Sequence, residues 1–494
     1  MIKLKSLIQS RFNVNLNIKD FYDYKSIQSL TEVIRSKEKA DNHKIPPVDK
    51  SVKGYEISRE QYRIWLASQT VGGSISHNMV LDFQLNGDFD VTLLKTAVKK
   101  TISRHEILRT YFLLNANGMV LQYLRETVDI EKVITVEKAQ AENVESLLSE
   151  SHNIHFRLEE CPLFHILIIQ KKVNQYIFSL VIHHIIGDMV SLDLFFKEIL
   201  LRYNALSQRK KLYLPALNIQ YKDYAKWIND NLKSSYFDEQ REFWQQYLNG
   251  IGDDSKWYTY HGQSTFEGKT LTDSFDPELT DKIKSYCQQN NQRLMSFMAT
   301  ALGILIYKKT HQRDILIGIP SSLRQHPDLM EQMGLYLNVL PFRVTIEKDQ
   351  TLSELLIRNS QNQIQILQAS LFPFDKIIER FEKNHQFNLA SRIDIFLNVL
   401  INDSTYLDIA KDLAIKPLET NNKKSKFPLC VYIQQFDEKL IYMIEYQTAV
   451  FTENEIKNFE KRLLKTITQM IDFPNKYIND IELIEKDALP LFQM

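Results

Sequence analysis

The chain has 494 residues, of which 44% are hydrophobic, 11% aromatic and 25% charged, and this length and composition favour about three folded domains over disorder or a fibrous repeat. The 61 basic residues balance the 61 acidic ones, which argues against a nucleic-acid partner. The three cysteines lie far apart, which argues against a disulfide scaffold and a zinc cluster. No apolar run is long enough for a membrane span, and the N-terminus lacks the apolar core of a signal peptide. Together these features favour the cytoplasm.

The first residues predict a small helical unit that precedes the main body. Residues 1–36 are amphipathic, whereas residues 37–52 carry charge and a Pro-Pro pair and offer little that could form a core. We interpret residues 37–52 as a linker. From Tyr55 onward, strands and helices alternate and no sequence repeat is visible.

The first half of the body predicts one α/β lobe, placed at residues 53–215. A helix is expected over 91–105 because its apolar residues recur at helical spacing. Residues 163–186 form two apolar runs around a polar turn, which predicts a buried hairpin. A further helix is expected to turn one apolar stripe inward, formed by Leu192, Phe195, Phe196, Ile199, Leu200 and Tyr203.

The second half predicts another α/β lobe, placed at residues 216–486 and followed by a tail, 487–494. Capping boxes at Thr351 and Thr452 mark the starts of two of its helices. The passage between the lobes is placed in the helical and aromatic interval 205–290. The elements expected in this half are helices 295–309, 352–369 and 453–471 and strands 314–319, 337–345, 393–401, 429–435 and 439–446.

The segment from His183 to Met189 (HHIIGDM) stands out because two imidazoles end a strongly apolar strand. On a strand, His183 and His184 would point to opposite faces, so one could face a cleft while the other needs a buried partner. Asp188 precedes a helix, where aspartate is a favoured N-cap. Taken alone, the pattern is weak, and a hydrogen-bonded core histidine remains the alternative.

Several further motifs accompany this segment along the chain. They are SREQYRIWL at 58–66, RHEILRTYF at 104–112, YKDYAKW at 221–227, MGLYLNVLPFR at 333–343, FPF at 372–374, Ser391-Arg392 and IEL at 481–483. In this order and at these separations they resemble the condensation domains of nonribosomal peptide synthetases, and the resemblance covers about Tyr55 to Ile484. Residues 7–34 also resemble the second half of a carrier protein domain, with an unrelated helical cap as the alternative.

The resemblance implies an α/β (α+β) fold of two chloramphenicol-acetyltransferase-like lobes, which form a V-shaped pseudo-dimer around a central tunnel. It implies an acyltransferase that joins a carrier-bound acyl or aminoacyl thioester to an amine, making an amide in nonribosomal peptide or hybrid polyketide biosynthesis. The partners would be donor, and possibly acceptor, carrier protein domains with 4′-phosphopantetheine arms. The chain itself would hold no covalent cofactor and no metal, and it would act as a monomer within a multienzyme assembly.

The resemblance also assigns roles to residues. His184 would be catalytic, with His183, Asp188 and Arg324 as structural support, although a solvated loop position is the alternative for Arg324. Asn338 is a tunnel candidate that could equally be an ordinary strand residue. Met189 is a second tunnel candidate, and it departs from the family motif, which usually has glycine there. Methionine is larger and flexible, so it could narrow the channel or pack on the helix.

Two other functions stay open at this point. The same fold could form an ester or release a product, or it could be a catalytically silent domain that recruits a partner to a synthetase. The retention of both His184 and Asp188 favours catalysis. Because the remaining residues leave no room for an adenylation domain or a thioesterase, the substrates are expected to be loaded elsewhere.

Overall fold

The computed structural model describes residues 2–37, 44–70, 72–139, 141–252, 256–259, 261, 266–383, 389–401, 409, 413–418, 424–436 and 438–483. Residues 38–43 of the predicted linker and the predicted tail, 487–494, lie outside these ranges. The mixed helix and sheet class predicted from the sequence is confirmed.

The helices predicted from apolar stripes are observed, together with others that were not predicted individually. The stripe from Leu192 to Tyr203 is buried on one long helix, as predicted, and the capping boxes at Thr351 and Thr452 start two others. In chain order the helices are α1 Ile2–Phe12, α2 Asp20–Asp23, α3 Ile27–Ser36, α4 Arg59–Ser68, α5 Gly73–Ser76, α6 Val91–Arg104, α7 Ile130–Val133, α8 Ala141–His152, α9 Met189–Ser207, α10 Tyr221–Leu232, α11 Asp238–Tyr247, α12 Pro277–Gln289, α13 Leu294–Thr310, α14 Leu352–Gln368, α15 Phe374–Glu382 and α16 Glu453–Asp472.

The buried hairpin of residues 163–186 and the five strands predicted in the second half are observed, whereas the other strands were not predicted individually. In chain order they are β1 Tyr55–Glu56, β2 Asn78–Gly87, β3 Thr110–Leu114, β4 Val120–Leu124, β5 Ile134–Lys138, β6 Phe164–Lys172, β7 Gln175–His183, β8 Gly268–Ser274, β9 Asp314–Ser322, β10 Leu337–Thr345, β11 Ile395–Ile401, β12 Leu413–Pro417, β13 Leu429–Gln435 and β14 Leu440–Gln447.

The chain forms two compact units, and the first is assembled from three separate stretches. Unit 1 comprises Met1–Asp238, Ser322–Leu337 and Asp403–Asn421. Its main sheet has the order β12-β2-β7-β6-β5, and a small sheet has the order β1-β4-β3. The edge strand β12 pairs antiparallel with β2, opposing Ile415 to Leu85. The lobe boundary placed at 215 and 216 stays a prediction.

Unit 2 contains the other three stretches of the chain, Glu239–Ser321, Asn338–Asn402 and Asn422–Met494. Its sheet has six strands in the order β10-β9-β11-β13-β14-β8. Helix α13 packs against α14 and α16 and is almost wholly buried and apolar, as expected for a helix enclosed by other elements.

The two sheets repeat the same four-strand pattern, although no repeat is visible in the sequence. In unit 1, β5 and β6 are parallel, and β7 and β2 follow antiparallel. In unit 2, β11 and β13 are parallel, and β14 and β8 follow antiparallel. In both units the last hairpin strand leads into a long helix, α9 or α16. The repeated pattern agrees with the two similar lobes that the family resemblance implies. It needs no sequence repeat, because pairing order does not require similar side chains.

The N-terminal helical unit has its own small core and also contacts the rest of unit 1. Ile8, Val14 and Leu16 are buried together, with partly buried apolar residues packed around them. The interpretation of residues 37–52 as offering little to a core needs one correction. Ile45 is 2% exposed and the backbone N–H of Val48 donates to Asp223 at 2.8 Å, so this stretch lies against unit 1.

Candidate active site

The apolar strand β7 ends at His183, and His184 begins a short 3-10 turn that runs to Ile186. The expectation that both imidazoles lie on the strand is therefore wrong for His184, whereas their pointing to opposite faces stays a prediction. The backbone N–H of His184 donates to the carbonyl of His77 at 2.9 Å, and the chain then turns. Each imidazole is held by its own hydrogen bonds.

The tautomer of the His184 ring is fixed by a backbone carbonyl. Nδ1 of His184 lies 2.6 Å from the carbonyl oxygen of Gly187. A carbonyl can only accept, so Nδ1 carries the hydrogen and donates it. In the neutral ring the lone pair is consequently on Nε2. The residue is 9% exposed, so this imidazole is held rigidly in a largely buried place.

The neighbouring His183 adopts the opposite tautomer. Its Nδ1 accepts the backbone N–H of Ile185 at 3.3 Å, so Nε2 carries the hydrogen. That nitrogen lies 3.5 Å from the hydroxyl of Ser68, which itself donates to the carbonyl of Ile64 at 2.7 Å. His183 is fully buried. Two adjacent histidines thus present different nitrogens as hydrogen-bond donors.

Asp188 caps helix α9, as its position predicts. Its Oδ1 accepts the backbone N–H of Ser191 at 2.8 Å and the Ser191 hydroxyl at 2.7 Å. Its Oδ2 accepts the backbone N–H of Tyr336 at 3.1 Å. An exposed cap would need only water as a further partner, but Asp188 is 3% exposed, so its charge requires compensation inside the protein.

Arg324 supplies that compensation, and the alternative of a solvated loop residue is wrong. Its side chain is 2% exposed, and Nη2 lies 3.0 Å from Oδ1 of Asp188. The guanidinium lies over the ring of Tyr336, at 4.3 Å from the centroid. Nη1 donates to the carbonyl of Leu329 at 2.7 Å and also to that of Gln332. Breaking such a buried pair is strongly destabilising because the remaining charge stays in the interior.

The network also contains three side chains to which the sequence assigned no role: those of Ser191, Tyr336 and Gln332. The Ser191 hydroxyl accepts from Arg324 and from the backbone N–H of Gly334, at 2.9 and 3.0 Å. Tyr336 is fully buried, burial raises its pKa, and its hydroxyl donates to Gln332 at 3.0 Å. Ser191 lies three residues after Asp188, which is the usual position bonded by an N-cap, and this spacing was the one available signal.

The two tunnel candidates lie in different environments. Met189 is the first residue of α9 and is 47% exposed, so its side chain is accessible beside Asp188. Asn338 is 1% exposed, and its amide nitrogen donates to the carbonyls of Ser370 and Phe372 at 3.0 and 2.8 Å. Its oxygen accepts the backbone N–H of Phe374 at 3.1 Å. Asn338 therefore belongs to unit 2 and ties strand β10 to the start of α15.

Within the described ranges, no group of three or more histidine, cysteine or acidic residues could hold a metal ion. Among the helices of the same ranges, none is both long enough and apolar enough to cross a membrane. The three cysteines are all unpaired thiols, and burial raises the pKa of Cys161 to about 11.

Comparison with known families gives one match over most of the chain. Residues 52–488 match the model of the condensation domain. Among curated proteins, bacitracin synthase 1 of Bacillus licheniformis is 26% identical over 98% of this chain, and surfactin synthase subunit 1 of Bacillus subtilis (strain 168) is 25% identical over 99%. The chain spans only 9% and 13% of the length of these two proteins.

Solved structures share the fold. The chain from a complex of the X-domain and OxyB from teicoplanin biosynthesis superposes with a TM-score of 0.80 at 20% identity, over 91% of this chain and 100% of that one. The condensation domain of the monacolin K polyketide synthase MokA gives a TM-score of 0.74 at 15% identity, over 86% and 99%. At these identities the likeness concerns the fold.

Proposed function

Because the chain belongs to the condensation-domain family, whose reaction is amide-forming acyl transfer, we propose that it joins a carrier-bound acyl or aminoacyl thioester to an amine acceptor. The observation that carries this proposal is the His184 ring, whose Nδ1–H donates to Gly187 and whose lone pair is therefore on Nε2. A rigid imidazole with a defined basic nitrogen suits either proton acceptance or alignment of an amine.

In the proposed reaction, the acceptor nitrogen attacks the thioester carbonyl carbon. The C–N bond forms as the C–S bond breaks, and one proton leaves the nitrogen. Nε2 of His184 accepts this proton, or a hydrogen bond from it, and the proton ends on the departing sulfur. A free α-amine has a pKa of about 7.7–8.0, so part of it is already neutral at pH 7, and positioning by His184 contributes alongside base catalysis.

Asp188 and Arg324 are assigned a positioning role. Their buried pair fixes the start of α9 and with it the turn whose last carbonyl, that of Gly187, orients His184. His183 supports the same turn from within the core by accepting the N–H of Ile185. Met189, exposed at the head of α9, is proposed to contact substrate, whereas the enclosed amide of Asn338 suits a structural role.

The proposed partners are carrier protein domains, whose 4′-phosphopantetheine arms bring the donor thioester. The acceptor amine is either bound to a second carrier or free. We propose that the residues 53–215 and 216–486 act as the two lobes of one catalytic body within a synthetase assembly. The resemblance of residues 7–34 to part of a carrier domain fits such a place next to carriers.

The test is intact-protein mass spectrometry of a donor-loaded carrier mixed with this chain and candidate amines. Transfer predicts loss of the acyl mass from the carrier together with a new amide, and His184→Ala should slow both by about 10²–10⁴-fold. Transfer to an alcohol instead would favour the ester-forming alternative. An acyl carrier left unchanged by the folded protein with all acceptors would overturn the enzymatic proposal and favour a docking role.

A further inference from the structure

The turn 326–332 links Arg324 to the N-terminal helical unit. From inside, Arg324 Nη1 donates to two of its carbonyls, those of Leu329 and Gln332. From outside, helix α1 packs against its residues Pro327–Leu329. All of these elements belong to unit 1. The turn therefore lies between a helix that precedes the condensation-like body and the cation that neutralises Asp188.

The packing around this turn is incomplete on another side. A cavity of about 400 Å³ is lined by Pro327, Asp328 and Glu331 of the turn and by Leu194 and Leu201 of α9, among others. Side chains that border a void lack part of their packing partners. On that side the amide of Asn218 donates to Asp328 at 2.8 Å, and Gln332 donates to the carbonyl of Ile219. The contact with α1 acts together with these hydrogen bonds to hold the turn in place.

We propose that helix α1 is a positioning element of the candidate active site. By packing against the turn 326–332, it fixes the carbonyls that hold the guanidinium of Arg324, and Arg324 in turn fixes Asp188 and the turn that orients His184. The N-terminal unit thereby affects turnover without contacting substrate. This inference rests on the proposed function only for its activity readout.

The chain allows a test with matched variants of the full-length protein. The double variant Ile8→Asp/Leu16→Asp puts two carboxylates into the small core that holds α1, where both residues are buried, and should unfold that unit locally. The control is Leu4→Asp/Leu7→Asp, which changes two residues of the same helix that are 47% and 56% exposed.

Two readouts separate positioning from other effects. Hydrogen exchange reports on the backbone N–H groups of Ser191 and Tyr336, which both donate to Asp188 and need no activity to be measured. Single-turnover acyl transfer reports on the reaction. In the core variant, exchange of both amides should accelerate about tenfold or more, and turnover should fall between about tenfold and 100-fold. The control variant should match the parent in both.

A double-mutant cycle with Arg324→Lys identifies the route. If α1 acts through Arg324, adding the core substitutions to Arg324→Lys should lower turnover and amide protection by less than about a further twofold. The proposal is overturned if the two sets of substitutions lower turnover by independent factors that multiply. It is also overturned if hydrogen exchange at Ser191 and Tyr336 is unchanged although the amides of α1 exchange faster. If no version of the protein transfers an acyl group, the proposed function fails, and the exchange measurements still decide the positioning role.

Discussion

The ends of β7 and β14 occupy equivalent places in the two repeated sheets, and the segments that follow them have the same length, one matching backbone hydrogen bond and a helix cap. Five residues separate each strand from its helix, 184–188 before α9 and 448–452 before α16. The first of the five donates its backbone N–H to the residue just before the neighbouring strand, His184 to His77 and Thr448 to Glu267, at 2.9 and 3.0 Å. The last of the five caps the helix in both cases.

The side chains at these equivalent places differ in every respect that matters for chemistry. His184 corresponds to Thr448, and the buried cap Asp188 corresponds to Thr452, which is exposed and forms a capping box with Glu455. The first cap is tied to a buried arginine, whereas the second is satisfied within its own helical turn. The strand-to-helix turn is thus a scaffold, and the candidate site depends on which copy carries the imidazole and the buried charge.

The largest expected effect is on the imidazole itself. His184→Ala should lower single-turnover transfer by about 10²–10⁴-fold, the range typical of a general acid–base group, while thermal unfolding stays close to the parent. The matched change in the other copy, Thr448→Ala, should leave transfer unchanged because that side chain is exposed. Equal turnover of parent and His184→Ala would remove His184 from the mechanism.

The two helix caps should differ in their contribution to stability. Asp188→Asn keeps the shape of the cap but leaves the buried Arg324 without a counter-charge, and should lower the free energy of unfolding by about 3–5 kcal/mol. Thr452→Ala removes an exposed cap and should cost only about 1 kcal/mol. Urea unfolding of both variants makes the comparison, and similar losses would mean that burial of the first cap has no energetic consequence.

A third difference lies two residues before each strand end, where β7 has Val181 and β14 has Glu445. Burial raises the pKa of the Glu445 carboxyl to about 7 from 4.5. Above pH 4.5 the unfolded chain loses this proton before the folded one does, so the stability that the proton contributes is lost as the pH rises through 7. The full effect is on the order of 3 kcal/mol.

Glu445→Gln removes this titration, so its free energy of unfolding should fall less than that of the parent between pH 4.5 and 8. Denaturant unfolding at several pH values measures the difference. The variant Val181→Ala serves as control, since it should shift stability by the same amount at every pH. Parallel pH profiles for the parent and Glu445→Gln would show that the pKa of Glu445 is not raised in the folded protein.

The smallest expected effect concerns the first residue of each helix, Met189 in α9 and Glu453 in α16. Met189→Gly should cost less than about 1 kcal/mol, since the position is at the helix start. If the exposed side chain restricts substrates, the variant should transfer to a large acceptor better, relative to a small one, than the parent does. A constant ratio in single-turnover assays would assign Met189 to helix packing.

The sequence predicted the elements well because their signals are local. The stripe on α9 and the boxes at Thr351 and Thr452 depend on residues three or four positions apart, and all were confirmed. The local ends of elements were harder. The apolar neighbours of His184 predict a strand residue, yet the strand ends at His183 and a 3-10 turn begins at His184.

What the sequence could not supply are contacts between distant stretches. The pairing of Ile415 with Leu85, and the carbonyls of Leu329 and Gln332 around Arg324, have no periodic signature. The repeated sheet pattern is likewise invisible in the sequence, because His184 and Thr448 make equivalent backbone hydrogen bonds with different side chains. The resemblance to a family named Asp188 and Arg324 as support for His184, but it assigned no role to Ser191 or Tyr336.

The three-stretch composition of unit 1 has a consequence for synthesis on the ribosome. Arg324 follows Asp188 by 136 positions, which at about 5–20 residues per second is a delay of about 7–27 s. During that interval the nascent chain holds Asp188 without its cation. Strand β2 lacks its edge partner β12 for longer still, until residues 413–417 have emerged. Unit 1 is the first to be translated in large part, and it can be completed only after most of unit 2 has been made.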